Sequence, residues 1–82
     1  MKGFITVIDF EGTSINQAPR ATEIGLVALD ENFNEVASFE SIIKPPVTAQ
    51  ASALAFSHLT QKQIKSAPTF AQLWPAIHPF FN

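Results

Sequence analysis

A run of β-branched and aromatic residues near the start of the chain, residues 4–10 (FITVIDF), limits the available folds more than any other segment. These residue types favour strands. Apolar residues occupy both the odd and the even positions of the run. Side chains alternate between the two faces of a sheet, so such a run predicts a strand that is covered on both sides. We therefore expect residues 4–10 to form a central strand.

Two further strands are predicted at residues 22–29 and 35–43, where apolar and β-branched residues again dominate. The residues between these two strands, 30–34, form a short polar turn of hairpin length. Residues 12–20 contain Gly, Ser, Asn and Pro, which favour turns, and are expected to form a polar loop. The sequence thus predicts a three-stranded antiparallel meander.

Pro45 and Pro46 must end the third strand, because neither has a backbone N–H to donate to a sheet. Three helices are predicted after them, at about 48–56, 60–65 and 69–80. The last two begin at Thr-x-x-Gln patterns that are typical of capping boxes. The final helix carries one apolar stripe expected to face a core: Phe70, Leu73, Trp74, Ile77 and Phe81. Pro75 lies inside this helix and predicts a kink or a break, because an interior proline costs roughly 3 kcal/mol.

The composition agrees with a small folded α/β domain in which helices pack on one sheet. Hydrophobic residues make up 46% of the 82-residue chain and charged residues 15%, which is too apolar for a disordered segment. Five Lys or Arg against seven Asp or Glu give a net charge of −2. This balance excludes a broad basic surface for non-specific nucleic-acid binding, so any such contact must be local.

The chain contains no cysteine, and it therefore has neither a disulfide framework nor a thiolate metal site. No segment approaches the roughly 18 apolar residues that span a bilayer. The apolar start is interrupted by Asp9 and Glu11 and lacks the cleavage site of a signal peptide. We expect a soluble, cytoplasmic protein with no membrane partner.

Asp9 and Glu11 are the strongest functional signal in the sequence. Two residues apart on a strand, they point to one face with about 6.6 Å between their Cα atoms, and Phe10 is expected to anchor the opposite face. Two carboxylates this close can bind one cation, and oxygen ligands suit Mg²⁺ or Mn²⁺. The Asp-x-Glu pattern is short and common, however, and taken alone it favours a simpler explanation, the polar end of a strand entering a loop.

The residues around this pair, 7–14 (VIDFEGTS) and 21–30 (ATEIGLVALD), resemble the DEDDh (DnaQ-like) family of 3′-to-5′ exonucleases. The segments 56–60 (FSHLT) and 66–70 (SAPTF) resemble the region that this family places between its first and second motifs. The resemblance covers nearly the whole chain. It implies a ribonuclease-H-like fold in which residues 1–82 are the N-terminal part of an exonuclease domain.

The resemblance also implies roles for individual residues. Asp9 and Glu11 would be catalytic residues and metal ligands, in a family site that holds two Mg²⁺ or Mn²⁺ ions. The backbone at Gly12 and Thr13 would lie against the terminal nucleotide, and Glu23 would lie beside the substrate. From the residues alone, Glu23 is only one polar position in an amphipathic strand.

Two positions depart from the family pattern. Where many members have His followed by Gly, this chain has Ser57 and His58, and neither is expected to be catalytic. His58 is expected to be exposed, and His78 is expected to be exposed or partly packed. Gly25 either allows a close backbone approach or has no role.

The family completes its site with an aspartate in a second motif, and with a histidine base and an aspartate in a third. The only aspartates in this chain are Asp9 and Asp30, and Asp30 lies in a predicted turn. No histidine is followed by an aspartate. The second and third motifs are therefore absent from these residues, and we expect the chain to be inactive alone for want of a general base and a metal ligand.

Two functional hypotheses remain. The first is a 3′-to-5′ exonuclease that acts on single-stranded 3′ ends of DNA or RNA by two-metal-ion hydrolysis. The alternative is a non-catalytic interaction or scaffold module derived from the same fold, which would use an exposed sheet edge for homo-oligomerisation or strand exchange. A scaffold has no need of Asp9, Glu11 and Glu23 together, so their presence favours the exonuclease.

Overall fold

Three antiparallel strands in the order β1-β2-β3 form the sheet of the computed structural model, which describes residues 4–48, 54 and 58–81. The strands are β1 (Ile5–Ile15), β2 (Ala18–Leu29) and β3 (Glu35–Ile42). β1 pairs with β2, and β2 pairs with β3. The predicted meander is confirmed, and β3 ends shortly before the two prolines.

The prediction of a polar loop at residues 12–20 is wrong. β1 and β2 extend into this segment and leave only a two-residue turn. Asn16 and Gln17 form that turn, with φ angles of 52° and 63°. Positive φ at both central residues is typical of the type I′ turn, whose twist matches that of the paired strands. The usual Asn-Gly signal for this turn is missing here, since Gln occupies the second position.

The expected central position of the first strand is also wrong. β2 is the central strand, and β1 lies at an edge of the described sheet. Apolar side chains in the first half of β1 are accordingly close to half exposed, including Phe10 at 51%, which does not act as a buried anchor. An apolar run on both faces indicates a strand that favours burial, but it does not reveal how many partners the strand finds.

The main core lies between β2 and the C-terminal helix α2 (Phe70–Ile77). Ile24, Leu26 and Ala28 of β2 pack in one cluster with residues of this helix. Leu26 and Ile77 are each only 1% exposed. Burying one such side chain contributes roughly 1.5–3 kcal/mol. The buried members of this cluster are Ile24, Leu26, Ala28, Ile43, Leu73, Ile77 and Phe80.

A second, smaller core lies on the opposite face of the sheet, near the β1–β2 turn. Its buried members are Ile15, Leu54, Leu59 and Ile64. Ile42 packs against them and is the β3 partner of Glu23, which places this cluster on the Glu23 face. The second core therefore holds the segment before helix α1 (Gln61–Ser66) beside one end of the sheet.

Both capping boxes are confirmed. Thr60 caps α1 and exchanges hydrogen bonds of 3.1 Å and 2.8 Å with Gln63. Thr69 caps α2 in the same way with Gln72, at 3.2 Å and 2.9 Å. Each Thr cap stabilises its helix by about 1 kcal/mol. The helix expected at about 48–56 lies almost entirely outside the described residues, which include only Thr48 and Leu54 of that range.

The predicted apolar stripe of the last helix is only partly correct. Leu73 and Ile77 are buried, but Phe70, Trp74 and Phe81 are between 42% and 49% exposed. After Ile77 the chain continues as a 3₁₀ helix, His78–Phe81. With three residues per turn, this helix brings Phe80 rather than Phe81 above Ile77 and into the core.

Asp30 organises the turn between β2 and β3, where the sequence predicted a turn. Its carboxylate accepts hydrogen bonds of 2.9 Å from the backbone N–H groups of Asn32 and Asn34. The Asn34 N–H is the main cause that lowers the pKa of this carboxyl below its ordinary value. Asp30 therefore stabilises the turn, and it is not among the clustered carboxylates described next.

Candidate functional site

An acidic groove crosses the sheet on the face opposite α2. In the register of the strands, Asp9 lies beside Gly25 and Gly25 lies beside Glu40. In the next row on this face, Glu11 lies directly opposite Glu23. The side chains of one row and the next point to the same face because they are two residues apart on each strand.

The groove has a volume of about 390 Å³ and is open to solvent. Its lining residues are Asp9, Glu11, Glu23, Ile24, Gly25, Glu40, Ser41 and Ile42. Four of these eight are carboxylates, and none of these lining residues is Lys or Arg. An added Cβ at Gly25 would lie 3.9 Å from the Asp9 carbonyl, an ordinary contact, so crowding does not require glycine here. Gly25 instead leaves space between Asp9 and Glu40.

The donor set of the groove fits a hard divalent cation. Mg²⁺ and Mn²⁺ prefer carboxylate oxygens and keep several waters, which an open groove permits. Asp9 and Glu11 both line the groove and lie on one face of β1, and the shared face was predicted from the sequence. They lie in the middle of β1 rather than at its end. Cross-strand neighbours, rather than a following loop, therefore supply the other carboxylates.

A tighter cluster lies at one end of the groove. Ligand atoms of Glu11, Glu23 and His58 all lie within 4.8 Å of one another. The Nε2 atom of His58 is 3.1 Å from a carboxylate oxygen of Glu23. His58 is largely exposed, as expected, with 66% of its side chain accessible, but it is not isolated. Asp9 is outside this cluster, so the structure groups Glu11 with Glu23 and His58.

Gly12 and Thr13 lie beside the groove rather than in it. A register shift after Glu11 leaves Thr22 without a β1 partner, and the Thr22 hydroxyl donates to the Glu11 carbonyl at 3.4 Å. Gly12 then passes so close to β2 that an added Cβ would lie 2.2 Å from the Arg20 carbonyl oxygen. Gly12 and Thr13 line a separate shallow depression that shares Glu11 with the groove.

Glu40 is a groove residue that the sequence reasoning missed. The signal was available, because the hairpin register places Glu40 across Gly25 from Asp9 once β2 is recognised as the central strand. The contact between His58 and Glu23 was also missed. It depends on how the second core positions the segment before α1, and local sequence patterns do not encode that placement.

The RNase T family model, described as an exonuclease, matches residues 6–82. A comparison with curated proteins gave no significant match.

Several solved structures share the fold. One, described as "3'-end specific recognition of histone mRNA stem-loop by 3'-exonuclease", has a TM-score of 0.74 at 22% identity and is matched over 94% of this chain. The structure of cell-death related nuclease 4 (CRN-4) has a TM-score of 0.73 at 23% identity and is matched over 96% of this chain. The nuclease domain of 3'hExo, described as a DEDDh family member bound to rAMP, has a TM-score of 0.73 at 21% identity, again over 96%.

The matched region is only part of each of these proteins. This chain spans 29%, 30% and 44% of those three chains, respectively. At these identities the likeness shows the fold, which is that of ribonuclease-H-like exonucleases. Among the described residues, no helix has the length and apolar character needed to cross a membrane.

Proposed function

The chain belongs to the RNase T exonuclease family, and on that premise we propose that residues 1–82 are the N-terminal part of a 3′-to-5′ exonuclease domain. Such a domain hydrolyses phosphodiester bonds in DNA or RNA with two divalent metal ions. The absence of cysteine is compatible with a reducing compartment, and we place the protein in the cytoplasm.

The observation that carries this proposal is the acidic groove with Asp9 and Glu11 on one face of β1. Four carboxylates without a basic side chain in the lining repel one another, and a bound cation relieves that repulsion. Asp9 and Glu11 would hold the ions, which we propose are Mg²⁺ or Mn²⁺. Bound there, such ions lower the pKa of a coordinated water and stabilise charge on the phosphoryl and leaving oxygens.

The substrate in this proposal is the single-stranded 3′ end of a nucleic acid. The backbone of Gly12 and Thr13 would lie against the terminal nucleotide, and Glu23 would lie beside it. The depression at Gly12 and Thr13 adjoins the groove through Glu11, so a nucleotide there would place its phosphate near the carboxylates. Two of the similar structures are described with a histone mRNA stem-loop and with rAMP, which supports a nucleic-acid substrate.

These 82 residues do not provide every group that the reaction needs. No aspartate follows Asp30, so no further aspartate ligand is available. We assign neither His58 nor His78 as the general base, because the family's third motif combines a histidine base with an aspartate, and neither histidine of this chain is followed by an aspartate. We therefore propose that the 82-residue chain binds metal but does not hydrolyse nucleic acid alone.

The test combines metal binding with a nuclease assay on three proteins: the wild-type chain, Asp9→Ala and Glu31→Ala. Glu31 is an exposed carboxylate in the β2–β3 turn, so its variant loses the same charge outside the groove. We expect Asp9→Ala to weaken Mn²⁺ binding, followed by electron paramagnetic resonance, by roughly tenfold or more, as loss of a ligand should. Glu31→Ala should bind Mn²⁺ like the wild type.

None of the three proteins should shorten a 5′-labelled single-stranded oligonucleotide in Mn²⁺. Equal Mn²⁺ affinity in all three would refute the assignment of Asp9 as a ligand. Shortening from the 3′ end by the wild type that disappears in Asp9→Ala would show that the 82 residues already contain a complete site.

An interaction module is the second candidate, and the exposed apolar residues of β1 favour it. Ile5, Val7, Ile8 and Phe10 are 44–51% exposed on an edge strand. Unpaired N–H and C=O groups along an apolar edge can pair with the same edge of a second copy. We propose homo-oligomerisation through β1 as the form that this function would take.

A further inference from the structure

Glu11, Glu23 and His58 bring three donor atoms together from three separate segments of the fold. Glu11 comes from β1, Glu23 from β2, and His58 from the segment before α1 that the second core holds against the sheet. These donors include a nitrogen, which distinguishes the cluster from the four carboxylates of the groove.

The spacing of these atoms suits direct coordination of one cation. Zn²⁺ binds His nitrogen and carboxylate oxygen at about 2.0–2.2 Å, which in a tetrahedral site puts neighbouring ligand atoms about 3.3 Å apart. The His58 Nε2 and Glu23 oxygen are already 3.1 Å apart. Glu11 is exposed and its ligand atom is within 4.8 Å of the other two, so a change of side-chain rotamer can complete the set.

The strand register gives an independent indication that a cation belongs here. Glu11 and Glu23 are directly opposite partners in the β1–β2 ladder. Like charges in that position destabilise a sheet. The contact of the largely exposed His58 with Glu23 offsets little of this cost, because pairs of this kind near the surface contribute little to stability. A divalent cation bound by both glutamates would remove the repulsion.

The donor types select among cations. Imidazole nitrogen suits Zn²⁺ and its transition-metal neighbours, whereas Mg²⁺ prefers an all-oxygen set. We propose that Glu11, Glu23 and His58 form a binding site for a zinc-type divalent cation, distinct from the Asp9–Glu11 pair but sharing Glu11 with it. His58 stands where many DEDDh exonucleases have glycine, so this site is a property of this chain's own residues.

One consequence rests on the function proposed above. Both sites use Glu11. When a zinc-type cation is bound by Glu11, Glu23 and His58, Glu11 is no longer available to a cation at the Asp9–Glu11 pair. Zn²⁺ and Mn²⁺ should therefore compete for the chain, and occupation by Zn²⁺ should weaken Mn²⁺ binding at Asp9.

The test uses Co²⁺ as a spectroscopic substitute for Zn²⁺ and follows its visible absorption as the metal is added to the 82-residue chain. The variants are His58→Gly, Glu23→Gln and Asp9→Ala, with His78→Gln as the control that removes the other histidine. Circular dichroism verifies that each variant is folded. We expect His58→Gly and Glu23→Gln to weaken Co²⁺ binding by roughly tenfold or more, as loss of a ligand should. Asp9→Ala and His78→Gln should bind Co²⁺ like the wild type, and added Zn²⁺ should displace it.

The outcomes separate this inference from the proposed function, because the readout requires no nucleic acid. Co²⁺ binding that depends on His58 supports the zinc-type site, even if Mn²⁺ binding proves independent of Asp9. Equal Co²⁺ binding in the wild type and His58→Gly would overturn it and leave His58 only as a surface side chain in contact with Glu23. Co²⁺ binding that is lost in Asp9→Ala would also overturn it, by placing the cation at Asp9 and Glu11. The inference would also be overturned if the wild type did not bind Co²⁺.

Discussion

Gly12 and Gly25 lie on neighbouring strands, but only one of them is required by the backbone around it. A Cβ at Gly12 would lie 2.2 Å from the Arg20 carbonyl oxygen, a separation that real Cβ atoms do not adopt. At Gly25 the nearest atom is 3.9 Å away. The first glycine is therefore needed for the β1–β2 hairpin, and the second only keeps the acidic groove wide.

The two glycines give a matched pair of alanine variants. Gly12→Ala should lower the free energy of unfolding by roughly 2–3 kcal/mol, because backbone must shift to admit the methyl group. Gly25→Ala should raise it by about 0.5–1 kcal/mol, since alanine costs less conformational entropy in a strand. Urea denaturation of both variants measures the difference. Equal destabilisation would mean that the close approach at Gly12 does not exist.

Phe33 has a backbone conformation that its side chain disfavours. Its φ angle is 63° and its ring is 72% exposed, so it carries strain without a burial gain. The left-handed region costs an ordinary L-residue about 1–2 kcal/mol, and Asn tolerates it better. Phe33→Asn should thus raise the free energy of unfolding by about 1 kcal/mol in urea denaturation. Phe33→Ala retains the backbone strain, so the free energy of unfolding should change little. If Phe33→Ala raised it as much as Phe33→Asn, the exposed ring rather than the backbone strain would be the cause of the lower stability.

Helix α2 contains an interior residue that disfavours helices. Pro75 lies inside the helix and has no N–H for the carbonyl of Ala71, yet the helix does not split there. Ala71 is exposed, so water can satisfy that carbonyl, and burial of Leu73 and Ile77 holds the helix on the sheet. Tertiary packing thus overrides a local penalty.

Removal of that penalty is a direct test. Pro75→Ala should raise the free energy of unfolding by up to about 3 kcal/mol, because it restores a hydrogen bond and relieves the ring clash. Pro46→Ala, in an exposed non-helical position, is the control and should give no comparable gain. Thermal unfolding followed by circular dichroism compares the two. Destabilisation by Pro75→Ala would show that the ring makes a favourable contact.

At the scale of the whole molecule, the sheet has one well-covered strand and an apolar edge. β2 is packed by α2 on one face, whereas β1 pairs only with β2 among the described strands and has several large side chains near half exposure. An edge of this kind favours association with another chain.

Val7→Lys should reduce self-association of the 82-residue chain, because a charged side chain on an edge strand blocks strand addition. Val7 is 49% exposed, so the substitution does not remove a core residue. Sedimentation velocity should show a lower mean mass for this variant than for the wild type. Phe33→Lys is the control, since it makes the same charge change at the tip of the β2–β3 turn. An equal effect of both variants would attribute the change to net charge rather than to the β1 edge.

Much of the fold could be predicted from the sequence because its signals are local. The meander, both capping boxes and the stop before Pro45 depend on residues within a few positions of one another. The errors share a different origin. The β1–β2 turn was missed because Gln17 replaces the usual glycine, and Phe81 was placed in the core because a helix of 3.6 residues per turn was assumed beyond Ile77.

The sequence alone placed the side chains of Asp9 and Glu11 on one face of a strand, because residues two apart on a strand share a face. Only the tertiary structure decided which groups join them. Strand register brought Glu23 and Glu40 onto that face, and the second core brought His58 against Glu23. Contacts of this kind join segments far apart in the chain, and they are set by the simultaneous packing of two faces of the sheet, which no local pattern of residue types contains.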